Sequence, residues 1–313
     1  LRAAPEKGDH SAKPPGVIAQ VKFATLRHQD RQLVARVDEA AGLAHPLDLP
    51  AGEAAMGVAA LARRAAAGQP PPAEGAPFRL ADARLLAPIP RPARNIFCVG
   101  KNYFEHAEEF ARSGFDSSAG AGAVPKAPII FTKVPECVVP PGAPILIDRG
   151  VSTAIDYEAE LAVIIGRGGR GIARDDAMDH VWGYTIINDV TARDLQGKHS
   201  QWLIGKSQDS FGPMGPWAVT ADVIDLADTR VQCFVNNEKR QDSNTRLLIF
   251  DVPTLIATLS AGITLYPGDI IATGTPVGVG IGFQPPKYLQ PGDAVRIEIS
   301  GIGVLENPVH ARG

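Results

Sequence analysis

Hydrophobic and polar positions divide the chain into a short opening part and a longer, strand-rich body. From Val17 the runs VIAQVKFATL and RQLVARV, rich in β-branched residues and split by the polar break His28-Gln29-Asp30, predict a strand hairpin. The Ala-rich stretch EAAMGVAALARRAAA then predicts a helix that stops at Gly68, where QPPPAEGAP begins a linker. Beyond it, short apolar runs (NIFCVG, PIIFTK, ELAVIIG, WGYTIIN, VQCFV, DIIATG, AVRIEIS) alternate with Gly/Pro turns, so strands dominate. Helical patterns are fewer, chiefly Phe104 to Arg112, Arg174 to His180 and Val252 to Ala261. The expected organisation is a loose tail over 1–16, an N-terminal lobe over 17–90 and a body over 91–313. This is a mixed α/β, mostly β fold with peripheral helices and no regular βαβ repeat.

Composition narrows the function classes. With 45% hydrophobic and 21% charged residues, the chain is apolar enough to fold on its own core. A formal charge of -3 without any long Lys/Arg run leaves no electrostatic footprint for nucleic acid or an anionic membrane. Cys98, Cys137 and Cys233 are widely spaced and lack a CxxC, which argues for buried thiols over disulfides or a thiolate zinc site. No apolar run is long enough to span a bilayer, and residues 1–16 lack the apolar middle of a signal peptide, so a cytoplasmic location is expected.

Candidate chemistry centres on Asp156-Tyr157-Glu158-Ala159-Glu160, which runs into the apolar stretch Leu161 to Ile165. A continuous apolar run reads as a buried strand, and period-2 alternation sends Glu158 and Glu160 to one side. Two carboxylates beside a buried strand repel unless a cation or proton neutralises them. A second run, Trp182 to Asn188, ends at Asp189, which completes a three-acid set or caps a following helix. Hard oxygen ligands without His or thiolate favour Mg2+ or Mn2+ over Zn2+. His106 and Glu109, three apart in YFEHAEEF, share a helix face, where a carboxylate can orient an imidazole as a general base. Lys206, in GKSQDSFGP, reads either as a cation that helps to hold the carboxylate cluster and an anionic substrate or as a generic surface lysine. Thr275 lies in a Gly-rich loop whose amides and hydroxyl can bind a carboxylate.

The ordered motifs VGKNYFEHAEE, FTK, DYEAELAVIIG, NDVTARDLQ, GKSQDSFGPMGP and YPGDIIATGTPVGVG resemble the fumarylacetoacetate hydrolase superfamily across roughly residues 95–308. The resemblance implies a β-roll-like catalytic domain that dimerises, with a small N-terminal α+β lobe. It implies that Glu158, Glu160 and Asp189 bind Mg2+ or Mn2+, and that His106 and Glu109 act catalytically with Lys206. It also places Tyr103, Lys133, Arg193, Gln196 and Thr275 around a small 2-oxo or enol acid. The leading expectation is hydrolysis of a C-C bond in a β-dicarbonyl 2-oxo acid of acylpyruvate or fumarylpyruvate type. The same superfamily admits an oxaloacetate-type decarboxylase, or an isomerase of keto-enol or hydroxymuconate-type diacids. A non-catalytic binding homologue is the alternative of another class.

Overall fold

The structure is a computed structural model that describes residues 21–112 and 124–313. The expected tail over 1–16, and the start of the first predicted strand at Val17, lie outside the described residues. The hairpin forms between Lys22–His28 and Arg31–Asp38, in unbroken antiparallel register from Lys22↔Val37 to His28↔Arg31. Its two turn residues, Gln29 and Asp30, both have positive φ (46° and 59°), the turn whose twist matches paired strands. The predicted Ala-rich helix divides into Ala51–Ala54 and Ala59–Ala66, because Gly57 between them adopts φ +63°, outside the helical range.

One large sheet organises the molecule. From the hairpin it continues through Gly212–Thr220, Val181–Asn188, Ala159–Ile165, Ile270–Ala272 and Ile96–Gly100 to Ile129–Lys133. Most pairs along this path are antiparallel; Ile270–Ala272 runs parallel to Ile96–Gly100. A five-stranded sheet is built from Glu238–Asn244, Arg230–Val235, Ala294–Ile299, Gly303–Ala311 and Ile145–Ile147. A two-stranded ladder joins Ile155–Asp156 to Thr191–Ala192. The predicted helices Phe104–Arg112 and Val252–Ser260 form, while Arg174–His180 winds as a 3-10 helix.

The Ala159–Ile165 strand explains why its sequence is continuously apolar. Leu161, Val163 and Ile165 pack into one core cluster, and Ala162 and Ile164 into a second on the opposite face. Covered on both faces, the strand has no position at which solvent would select a polar residue. A buried carboxylate at its start is therefore costly unless something compensates it. Cys98, Cys137 and Cys233 are all buried free thiols. Among the described residues, no helix is long and apolar enough to cross a membrane.

Candidate metal and substrate site

Strand register brings the three acids together. Ala159 pairs with Asn188, so Glu158 and Asp189 lie just past the paired ends, and the Asp189 amide donates to the Glu158 carbonyl at 2.9 Å. Glu160 sits two residues on, pointing to the same side as Glu158. One oxygen from each of Glu158, Glu160 and Asp189 falls within 4.8 Å of the others, and all three side chains are buried. Asp189 does not cap the next helix: Arg193–Lys198 starts at Ala192 without a side-chain cap.

Among the described residues, two of these acids form ion pairs and the third does not. Glu158 accepts from Arg193 Nη1 and from Lys206 Nζ, each at 2.7 Å. Asp189 accepts from Lys206 Nζ at 2.8 Å and from Lys133 Nζ at 2.6 Å. Glu160 takes one backbone hydrogen bond, from Gly274 N at 2.8 Å, and forms no ion pair among the described residues. The electrostatics follow the partners. Burial opposes the Glu158 charge, yet Lys206, Arg193 and His106 hold its pKa down at about 2. Burial, Asp189 and Glu158 together push the Glu160 pKa well above the carboxylate range. Burial opposes the charges of Arg193 and Lys206 as well, but the facing acids raise both pKa values.

This donor set fits a hard divalent cation. The three carboxylates lie on or just beside two adjacent strands, offer only oxygen donors, and leave Glu160 without an ion-pair partner among the described residues. Lys206 and Arg193 grip Glu158 from the sides, and each carboxylate oxygen retains a further lone pair for a metal.

Beside the acids lies a cleft bordered by Glu158, His106, Lys206, Arg193, Gln196 and Thr275, together with Lys101 and Trp202. His106 and Glu109 sit on one face of the Phe104–Arg112 helix, with His106 Nδ1 3.1 Å from Glu109 Oε2. Both are buried, at 4% and 8% exposure, so the pair is not a solvent-facing ion pair. Gly278 N donates to Glu109 at 3.0 Å, and a Cβ on Gly282 would stand 1.9 Å from Glu109 Oε1. The Gly-rich loop after Ile270–Ala272 thus fixes the carboxylate that fixes the imidazole.

The remaining expected site residues divide. Arg193 and Gln196 border the cleft and bond to each other, Arg193 Nη1 to Gln196 Oε1 at 3.1 Å. Thr275 borders it too, with its hydroxyl accepting from Gln241 Nε2 at 2.8 Å. The loop amide at Gly274 binds Glu160, not an external carboxylate. Lys133 and Tyr103 are not among the residues that border the cleft. Lys133 is spent on Asp189 and on the carbonyls of Val190 and Lys206. Tyr103 bridges to Leu248, and burial with Glu160 nearby raises its phenol pKa well above the ordinary value. Sequence reasoning missed Lys101, Trp202 and Asp156. Lys101 ends the Ile96–Gly100 strand with φ +54°, and the only available signal was its place in the KNY motif.

Comparisons with known proteins identify the family. A sequence family described as "Fumarylacetoacetate (FAA) hydrolase C-terminal" matches residues 95–310. The chain is 47% identical over 233 residues to oxaloacetate tautomerase YisK of Bacillus subtilis (strain 168), covering 74% of this chain and 75% of that protein. It superposes with a TM-score of 0.79 on a fumarylacetoacetate hydrolase from psychrophilic Exiguobacterium antarcticum, 41% identical, over 93% of this chain and 100% of that one. A maleylpyruvate hydrolase from Sphingobium sp. SYK-6, solved with manganese(II) and pyruvate, is 29% identical with a TM-score of 0.72, over 93% and 100% of the two chains. With its family profile, its relatives and its fold in agreement, the chain belongs to the fumarylacetoacetate hydrolase family.

Proposed function

We propose that the chain is a Mg2+- or Mn2+-dependent tautomerase that interconverts the keto and enol forms of a small 2-oxo diacid of the oxaloacetate class. The observation that carries this reading is the convergence of Glu158, Glu160 and Asp189 beside a cleft whose wall holds His106, Lys206 and Arg193. Similarity to an oxaloacetate tautomerase at 47% identity favours tautomerisation over the C-C hydrolysis that the motifs placed first.

Glu158, Glu160 and Asp189 would hold the metal, which supplies electrophilic polarisation of the 2-oxo group when bound. The chain's own residues do the rest. Arg193 and Lys206 balance the substrate's negative charge, and Gln196 and Thr275 orient it by hydrogen bonding. Tautomerisation moves one proton between the C3 carbon and the C2 oxygen and consumes no other reactant. Glu109 holds His106 Nδ1, so Nε2 is the atom through which the ring takes that proton and returns it. Burial of the pair keeps bulk water from competing for the proton. The family resemblance also supports a homodimer, which light scattering tests.

The test follows the ultraviolet absorbance of enol oxaloacetate in the presence of Mg2+ or Mn2+. The expected result is acceleration above the metal blank that EDTA abolishes. Failure to accelerate with either ion, or a rate indifferent to chelation, overturns the reading. One observation favours a second reading: the buried His106–Glu109 pair can also activate water for hydrolysis of an acylpyruvate. Product analysis on acylpyruvates, with the same metals, separates the two.

A further inference from the structure

The Asp156 carboxylate is fully buried, two residues before Glu158, and both of its oxygens are occupied. Oδ1 accepts from Gly280 N at 2.6 Å and from its neighbour Tyr157 N at 2.9 Å. Oδ2 accepts from Ile281 N at 3.0 Å and from Arg193 Nε at 2.9 Å. Four donors on one carboxylate is a saturated site, with no capacity left for a ligand. Its partners belong to the two halves of the active centre. Arg193 reaches onward to Glu158 and Gln196. The loop at 278–282 reaches the other way, through Gly278 N to Glu109 and so to His106. Tyr157 adds a second tie, its hydroxyl donating to Gly278 O at 2.9 Å.

We infer that Asp156 is a positioning residue that sets the Arg193 guanidinium and the 278–282 loop against each other, so that one carboxylate registers the substrate-holding side with the proton-transfer side. The role assigned to each side rests on the tautomerase reading; the anchoring itself does not. The competing account is a buried ion pair that serves stability alone. A carboxylate that only neutralised Arg193 would need one acceptor geometry, whereas this one also receives two consecutive loop amides. A saturated buried acceptor of this kind fixes orientation more than it adds net stability.

The experiment compares full-length, metal-loaded Asp156→Asn, Arg193→Met and the double variant on enol oxaloacetate. Asp156→Asn is expected to lower kcat/KM by about 10- to 100-fold, through both a higher KM and a lower kcat. In the Arg193→Met background the same change is expected to add no further rise in KM, while kcat still falls because the loop has lost its anchor. Both constants staying within about twofold of wild type, or a KM rise that persists undiminished without Arg193, would overturn the inference. Backbone amide exchange at Gly280 and Ile281 gives a readout that needs no catalysis. It is expected to accelerate in Asp156→Asn, and unchanged exchange would remove the anchor. Should wild type lack tautomerase activity, the functional reading fails while the exchange result still decides the anchor. If Asp156→Asn alone does not fold, the double variant, which leaves no unpaired buried charge, is compared with Arg193→Met, and equal kcat contradicts the proposal.

Discussion

The two sides of the cleft are built by different means. The acid side stands on two neighbouring strands, Ala159–Ile165 and Val181–Asn188, whose seven-residue pairing sets Glu158, Glu160 and Asp189 by register alone. The His106 side is a nine-residue helix tied to the body through Glu109 and the amide of Gly278. Sheet register is cooperative, because a slip of one residue would turn every side chain to the other face. A helix held by a loop has no such constraint. On the proposed function, the contrast teaches a division of labour: the rigid side would bind the 2-oxo acid, and the loop-tethered side would be where the choice of reaction is open to change.

The largest expected effect lies on the rigid side. Glu160→Gln removes a proposed metal ligand and should lower metal-dependent kcat/KM by about a thousandfold or more, since electrophilic polarisation contributes several kcal/mol. Its stability signature is distinctive. Neighbouring acids and burial oppose the Glu160 charge, so the metal-free melting temperature should hold or rise while the increase on adding Mn2+ disappears. On the helix side, His106→Ala should lower kcat by about 10² to 10⁴ while leaving the Mn2+-induced rise in melting temperature intact. Steady-state kinetics and thermal scans together check that separation.

A gentler change on the tether sharpens it. In Gly282→Ala the new Cβ meets Glu109 Oε1 at 1.9 Å and must displace it, so kcat should fall about tenfold with metal binding unaffected. At the far end of the scale, Arg36→Ala breaks a largely solvent-exposed pair with Glu74. Kinetics should not move, and stability measured by denaturant titration should change by less than about 1 kcal/mol.

What the sequence made legible follows the range of the interactions. Period-2 alternation put Glu158 and Glu160 on one side, and an apolar run ending at Asp189 supplied the third acid, because strand geometry is local. The i, i+3 spacing of His106 and Glu109 was equally readable. That the pair is buried was not, since the covering loop lies about 170 positions away at Gly278 to Gly282. Separation in sequence also hid the role of Asp156, whose loop partners are 124 and 125 positions on. Lys133 was expected at the substrate because of its FTK motif, but it stands behind Asp189. A motif reports that a residue is constrained without reporting which neighbour constrains it. The reaction itself was least legible, because the hydrolysis and tautomerisation readings assign roles to the same acids and the same imidazole.

Direct titration of Mn2+ into the metal-free protein by calorimetry tests the central claim most simply. One ion should bind per wild-type chain, and Glu158→Ala, Glu160→Gln and Asp189→Asn should each weaken or abolish that binding. Undiminished Mn2+ binding in all three variants would contradict it.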